Sequence, residues 1–151
     1  MRIISGKYKG RHLVQFNADH IRPTMDRVKE TVFNKWMRYV EDARVLDLFS
    51  GTGSLGLEAL SRGSRHITFV EKNIKSIQIL KKNIELLKIE QEQYMLLQKD
   101  VFLFLKSYSS EPFDLIFIDP PFTEKIADQV MLAIQNSVVF HQQTRIVIES
   151  I

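Results

Sequence analysis

Cysteine is absent from the 151 residues, which excludes a disulfide framework, a thiolate metal site and a cysteine nucleophile. The four histidines, His12, His20, His66 and His141, stand far apart and form no ligand-spaced pair, so no catalytic metal is expected. No apolar run approaches the ~18 residues of a membrane span. The opening "MRIISGKYKG" lacks the apolar core of a signal peptide, so a cytosolic protein with no membrane contact is expected. Proline is scarce, with four residues, yet two of them stand side by side at Pro120-Pro121. An apolar fraction of 44% and a charged fraction of 26% fit a soluble globular protein, and the length fits one domain with a real core.

The net charge of +3 is unevenly spread. Residues 1–38 carry nine Lys/Arg against three Asp/Glu, and the remainder carries twelve against fifteen. A basic arm on a mildly acidic body suits a polyanionic partner.

Residues 2–16 read as two short strands around a Gly/Lys-rich turn. In "IRPTMDRVKETVFNKWMRYV", Thr24 is the expected N-cap, and Val28, Val32, Trp36 and Val40 mark an amphipathic helix. From residue 44 the chain alternates. Strands are expected at 44–49, 66–70, 94–98, 114–119 and 144–149, with helices at 54–62, 73–87, 102–107 and 124–136. This alternation predicts an α/β fold with a mainly parallel sheet and helices on both faces. The expected organisation is a single domain over 1–151, with a basic hairpin and helix in 1–40 preceding a core in 41–151.

Open sheets of this kind bind ligands outside the carboxyl ends of their strands. Four successive strand ends here carry a carboxylate: Asp47, Glu71, Asp100 and Asp119. After Asp47, "FSGTGSLG" runs from Phe49 through Gly51-x-Gly53-x-x-Gly56, the dinucleotide-type glycine fingerprint, and Glu71 follows Gly51 by twenty residues. With a pyrophosphate on the loop, Asp47 would be one negative charge beside another, a repulsion of ~3 kcal/mol at ~5–6 Å and an effective dielectric of about 20. S-Adenosylmethionine reverses the sign, because its ammonium and sulfonium are cationic. On this reading Asp47 attracts the methionine end, Glu71 takes the ribose hydroxyls, Asp100 accepts from the adenine amine and the Val101 N–H meets a ring nitrogen.

The fourth strand runs into Asp119-Pro120-Pro121-Phe122. A nucleobase amine is a poor nucleophile because its lone pair is delocalised into the ring. The Asp119 carboxylate and the Pro120 carbonyl can hold its N–H bonds, the prolines lock the backbone, and Phe122 can stack on the base. Positioning and electrostatics then carry the catalysis, with Asp119 an orienting acceptor before it is a base.

Taken together, "RIISGKYKGRHL", "RPTMDRVKETVFNKW", "DLFSGTGSLGLEALSRG" and "DPPF" closely resemble the RsmD family, the bacterial 16S ribosomal RNA guanine-N2 methyltransferases. The resemblance implies a Rossmann-like class I fold dependent on S-adenosylmethionine. It implies methylation of the guanine at nucleotide 966 of 16S rRNA, within the 30S subunit or an assembly intermediate. It places Asp47, Phe49, Gly51, Gly53, Glu71, Asp100 and Val101 at the cofactor, and Asp119 to Phe122 at the guanine amine. Lys7, Lys9, Arg11, Arg22, Thr24 and Arg27 would face RNA or the active site, and a monomer is expected. Family members usually continue past the equivalent of "RIVIES", so a sheet short of its last strands is expected. The rival readings are another RNA or DNA amino-group methyltransferase, an NAD(P)-dependent oxidoreductase and a non-catalytic RNA-binding module.

Overall fold

Strand residues alternate between the two faces of a sheet, and this alternation decides what each helix meets. The computed structural model describes residues 1–16, 23–120 and 124–148, apart from the side chains at 23–26, 28 and 124. In chain order it contains α1 (Pro23–Val40), β1 (Arg44–Leu48), α2 (Ser54–Ser61), β2 (His66–Glu71), α3 (Ile74–Leu86), β3 (Tyr94–Gln98), α4 (Val101–Ser107), β4 (Phe113–Ile118), α5 (Glu124–Gln135) and β5 (Phe140–Ile148). A short 3₁₀ turn, Gln91–Gln93, precedes β3. The five strands are all parallel in the order β3-β2-β1-β4-β5, the doubly wound, Rossmann-like arrangement that the alternation predicted.

Val45, Ile67, Phe69, Leu115 and Phe117 point to one face, under α1, α2 and α3, where Phe33 of α1 and Phe117 stack at 5.4 Å. Leu46, Leu48, Val70, Ile116 and Ile118 point to the other, against Val101, Phe104 and Leu105 of α4 and Val130 and Ile134 of α5. Both faces are covered, which is why the strands read as nearly continuous apolar runs.

Several boundaries differ from expectation for identifiable reasons. β1 stops at Leu48 because Phe49 turns into the left-handed region at φ 61°. β5 begins four residues early, at Phe140, across a register irregularity between Phe113 and Leu115. The polar stretch His141-Gln142-Gln143-Thr144 concealed it, and Glu149 lies outside the described residues. Thr24 does not cap α1; the helix already starts at Pro23, a residue suited to a first turn.

The N-terminal arm forms no strands, only an Arg2↔His12 bridge with backbone bonds such as Ile3 N–H to the Arg11 carbonyl at 2.9 Å. Its remaining N–H groups are taken by side chains of the core. Glu58 on α2, 0% exposed, accepts the Ile4 and Ser5 N–H groups at 2.8 and 3.1 Å. The same carboxylate binds Arg62 at 2.8 Å and Lys29 at 3.3 Å. Ser61 Oγ accepts the Tyr8 N–H, and its backbone carbonyl accepts that of Lys7. Asn83 on α3, also 0% exposed, mimics a strand: Oδ1 accepts the Val14 N–H at 2.6 Å while Nδ2 donates to the Val14 and Thr52 carbonyls. Gly6 passes so close to α2, at φ 90°, that a Cβ would lie 1.9 Å from the Ser61 carbonyl oxygen.

Removing Glu58 leaves two buried cations and two arm N–H groups without their acceptor. Glu58→Ala is therefore expected to lower stability by ~3–5 kcal/mol, the range for breaking a buried ion pair on one side. Urea unfolding of the two proteins checks this, and limited proteolysis should find the variant's first sixteen residues cleaved first.

Candidate functional site

The carboxyl ends of β1 to β4 open into a cleft of about 820 Å³. Its floor is the loop after β1. Phe49 at φ 61°, Gly51 at φ 57° and Gly53 at φ 93° bend the chain sharply into α2, and left-handed backbone at a non-glycine residue is a strain typical of functional loops. Ser50 stitches the bend to β2: its N–H donates to the Val70 carbonyl and its Oγ accepts the Val70 N–H, both at 3.1 Å.

All three glycine N–H groups of the fingerprint already have acceptors within the protein. Gly51 donates to Glu71 Oε1 at 2.8 Å, Gly53 to the Ser50 carbonyl at 2.9 Å and Gly56 to Asp47 Oδ2 at 3.1 Å. Close packing demands two of these glycines. A Cβ on Gly53 would lie 2.1 Å from Leu80 Cδ1, and one on Gly56 would lie 2.3 Å from Phe69. Gly53 does not line the cleft, and its work is to shape the turn.

Asp47 is 1% exposed and follows Val45 on the face toward α2, so its carboxyl lies beneath the loop although it reaches the cleft wall. Burial pushes its pKa well up, and the nearby charges of Asp119 and Glu71 add to this against the Gly56 N–H. Its carboxyl fastens the loop through the Gly56 N–H and also reaches the cleft. Asp119, the next residue after β4 and also on the α1–α2 face, is half-buried with its pKa raised by burial. Glu71 uses its second oxygen, Oε2, for the Asn73 N–H at 2.9 Å. Asp100 caps α4 through Oδ2 to the Phe102 and Leu103 N–H groups at 3.0 and 3.1 Å.

Of the expected site residues, Asp47, Phe49, Gly51, Glu71, Asp100, Val101 and Asp119 line this one cleft. Pro120 is half-buried beside it, and Pro121, Phe122 and Arg22 lie outside the described residues, as does the Thr24 side chain. Arg27 is exposed on α1 and does not line the cleft. Lys7, Lys9 and Arg11 are exposed on the arm, away from the cleft wall. Arg11 is partly structural, because its guanidinium donates to the Leu86 carbonyl at 2.8 Å.

Sequence reasoning missed the wall contributed by the arm and α1, formed by Met1, Lys29 and Val32. Lys29 is only 3% exposed and binds the Arg2 carbonyl at 2.6 Å and Ser54 Oγ at 3.1 Å. Its position one turn before Val32 and Phe33, on the apolar side of the helix, was the available signal. Lys72, Ser76, Lys99 and Phe102 near Glu71 and Asp100, and Ile126 and Gln129 of α5, add to the lining, so that Lys29, Lys72 and Lys99 stand among its acids. Among the described residues no group of His, Asp and Glu could hold a metal ion, and no helix is long and apolar enough to cross a membrane.

Comparison with known proteins supplies the relatives. The family model described as Conserved hypothetical protein 95 matches residues 1–151. The chain is 44% identical over 132 residues to ribosomal RNA small subunit methyltransferase D of Haemophilus influenzae, covering 87% of this chain and 68% of that protein. It is similar to the solved structure of Escherichia coli yhhF, a candidate methyltransferase, with a TM-score of 0.86 and 34% identity over 98% of this chain and 79% of that one. SMU.776, a candidate methyltransferase solved in complex with SAH, matches 64% of this chain and 27% of its own at 25% identity and a TM-score of 0.56.

The raised pKa of Asp47 fixes the sign of a pH effect. The unfolded carboxyl loses its proton near pH 4 and the folded one only at higher pH. Stability is therefore expected to fall as pH rises between those values, because the folded state holds the extra proton. Asp47→Asn keeps an acceptor for the Gly56 N–H and removes the ionisation. Its urea midpoint is expected to drop less than the parent's between about pH 5 and about pH 8.

Proposed function

Since the chain belongs to the Conserved hypothetical protein 95 family, which is the RsmD family of the sequence resemblance, we propose that it is an S-adenosylmethionine-dependent methyltransferase acting on the N2 amine of a guanine in 16S ribosomal RNA. The methylated guanine is nucleotide 966, presented by the 30S subunit or an assembly intermediate in the cytoplasm. The protein acts as a monomer and a single domain over 1–151, in which the basic segment 1–40 faces RNA and 41–151 form the cofactor-binding core, with Met1, Lys29 and Val32 of the first segment closing the same cleft.

One observation carries the cofactor assignment against a dinucleotide. A pyrophosphate on this loop would need free N–H donors, and those of Gly51, Gly53 and Gly56 are all engaged by the protein. The cleft also gathers the acids Asp47, Glu71, Asp100 and Asp119 at the strand ends, with Lys29, Lys72 and Lys99 among them, and these acids can meet the cationic groups of a ligand. The relative SMU.776, solved with SAH, supports the same donor class. Bound there, S-adenosylmethionine supplies an electrophilic methyl group on a sulfonium.

This chain's residues do the rest. Glu71 holds the ribose hydroxyls with the lone pairs left beyond its Gly51 and Asn73 bonds, and Asp100 with the Val101 N–H reads the adenine edge. Asp47 fixes the glycine loop. Asp119 and the Pro120 carbonyl accept the two N–H bonds of the guanine amine and turn its lone pair toward the reacting methyl. Phe122 stacks on the base, and Pro121 keeps the turn rigid. The proton displaced from the amine passes to Asp119 or to water after attack, since the product ammonium is strongly acidic. A cationic donor favours the ionised forms of Asp47 and Asp119, so binding should release protons and tighten as pH rises through their raised pKa values.

Mass spectrometry of 30S subunits treated with this protein and the methyl donor tests the reading directly. A new methyl on the guanine amine at nucleotide 966 is expected, and a methyl elsewhere or none at all rejects it. Asp119→Ala should bind SAH almost as the parent does and turn over at least ~10²-fold more slowly, the effect of losing an orienting contact worth ~3 kcal/mol. For the arm, Lys7→Ala with Lys9→Ala is the cleanest pair, because Arg11 also holds the Leu86 carbonyl. The pair should flatten the salt dependence of RNA binding by about 1.4 in log–log slope if both lysines meet phosphates of a single strand.

A further inference from the structure

α1 carries an aromatic strip that begins at the cleft and that the reaction itself does not use. Val32 lines the cleft wall. One turn on, Trp36 is half-buried, and Tyr39 lies one turn further, with the two rings 5.8 Å apart. Cations lie over parts of both rings: Lys35 Nζ 5.6 Å from the Trp36 centroid, the Arg38 guanidinium 5.9 Å from that of Tyr39, and the Arg145 guanidinium of β5 4.7 Å from it, with Arg145 and Arg38 also donating to the Tyr39 hydroxyl. Arg145 pairs with Leu115, whose side chain packs beneath α1, so the strand and the helix build one surface.

The charge on this strip has one sign. At about 100° per residue Glu30, nine positions before Tyr39, falls on the opposite side of α1. Lys35 and Arg38 are exposed and Tyr39 is half-exposed. An apolar protein partner would not need this density of cations, and a solvated helix face would not need two ring faces beside them. Ring faces interleaved with cations are what a single strand of nucleic acid requires, with bases on the rings and phosphates on the charges.

We infer that the Lys35–Trp36–Arg38–Tyr39–Arg145 strip binds a single-stranded segment of the substrate RNA next to the target nucleotide, with bases stacked along the ring edge and phosphates on the three cations. The inference rests on the methyltransferase reading above and adds a second RNA surface to the basic arm. The seven residue steps from Val32 to Tyr39 rise about 10 Å along the helix axis, so a strand leaving the cleft along α1 meets the strip directly.

The test uses the full chain, unmodified 16S rRNA transcript and small-subunit particles that lack the methyl. The variants are Tyr39→Leu and the triple Lys35→Ala, Arg38→Ala, Arg145→Ala, with SAH binding as the measure of an intact fold. RNA affinity is expected to fall about tenfold for Tyr39→Leu, within the range of a lost stacking contact. The triple variant should lower the log–log salt slope by about 2, three phosphates of a single strand. For both, the KM for RNA should rise while kcat at saturating RNA and SAH affinity hold. If the triple loses SAH binding, the exposed single changes Lys35→Ala and Arg38→Ala replace it, each expected to lower the slope by about 0.7. Unchanged affinity and slope in variants of a protein that still methylates the transcript would overturn the inference and leave the function standing. Loss of binding to particles alone, with naked transcript bound as before, would assign the strip to a ribosomal protein and overturn it too. A parent protein that neither binds nor methylates either RNA would overturn both readings.

Discussion

A buried carboxylate holds this molecule's working parts in one frame. Glu58 is enclosed, and an ionised carboxyl in such a place survives only with partners that replace water. Here two cations and two backbone N–H groups do so, and they come from three separate pieces of chain: Lys29 from α1, Arg62 from the end of α2, and Ile4 and Ser5 from the arm. Lys29 then reaches Ser54 in the first turn of α2, and lines the cleft as it does so. A buried ion pair is weak support for stability as such, because desolvation offsets most of the attraction. Its value lies in geometry. One carboxylate meets donors from the arm, from α1 and from the end of α2, and through Lys29 and Ser54 the start of α2 joins the same group.

The cleft shows how the same glycine spacing can serve opposite charges. In a dinucleotide site the backbone N–H groups and the helix N-terminus face phosphate. In this molecule Glu71 reaches back to Gly51, Asp47 reaches up to Gly56, and the loop closes on itself. Acids and lysines then share the cleft, four of the one and three of the other, and burial raises the pKa of Asp47 and of Asp119, with the charges of Asp119 and Glu71 adding to the shift at Asp47. Positive charge on a ligand beside these two acids opposes that shift, whereas a pyrophosphate would add to it.

The sheet, its parallel sense and the ends at which the acids sit were legible in the sequence, because periodicity and strand–helix alternation are local signals. The mutual placement of Asp47, Glu71, Asp100 and Asp119 followed from the rule that ligands lie at strand carboxyl ends. Three things were not legible. The side-chain direction of Asp47 depends on the pleat, and its bond from the Gly56 N–H was not part of the residue-level reading. The arm reads as a hairpin because its hydrophobic and turn residues suit one, yet its donors pair with Glu58, Ser61 and Asn83, which lie more than fifty residues away. Lys29 looked like one of many charges on a basic helix, and only the tertiary packing of α1 against α2 buries it. Each miss concerns a polar group whose partner is distant in the chain, the kind of contact that no window of sequence contains.

Asn83 takes this logic one step further. Its amide is fully used: Oδ1 accepts the Val14 N–H of the arm, and Nδ2 donates both to the Val14 carbonyl and to the carbonyl of Thr52, between Gly51 and Gly53 of the turn. The arm also places Ile3, Tyr8 and Leu13 in the same apolar cluster as Phe69 and Leu80. Physically, then, the basic segment and the core are packed together: Met1, Lys29 and Val32 form part of the cleft wall, and Asn83 ties the arm to the glycine turn. One buried amide therefore fixes the position of the arm and of the turn together, because each occupies hydrogen-bonding capacity that the other's placement leaves open.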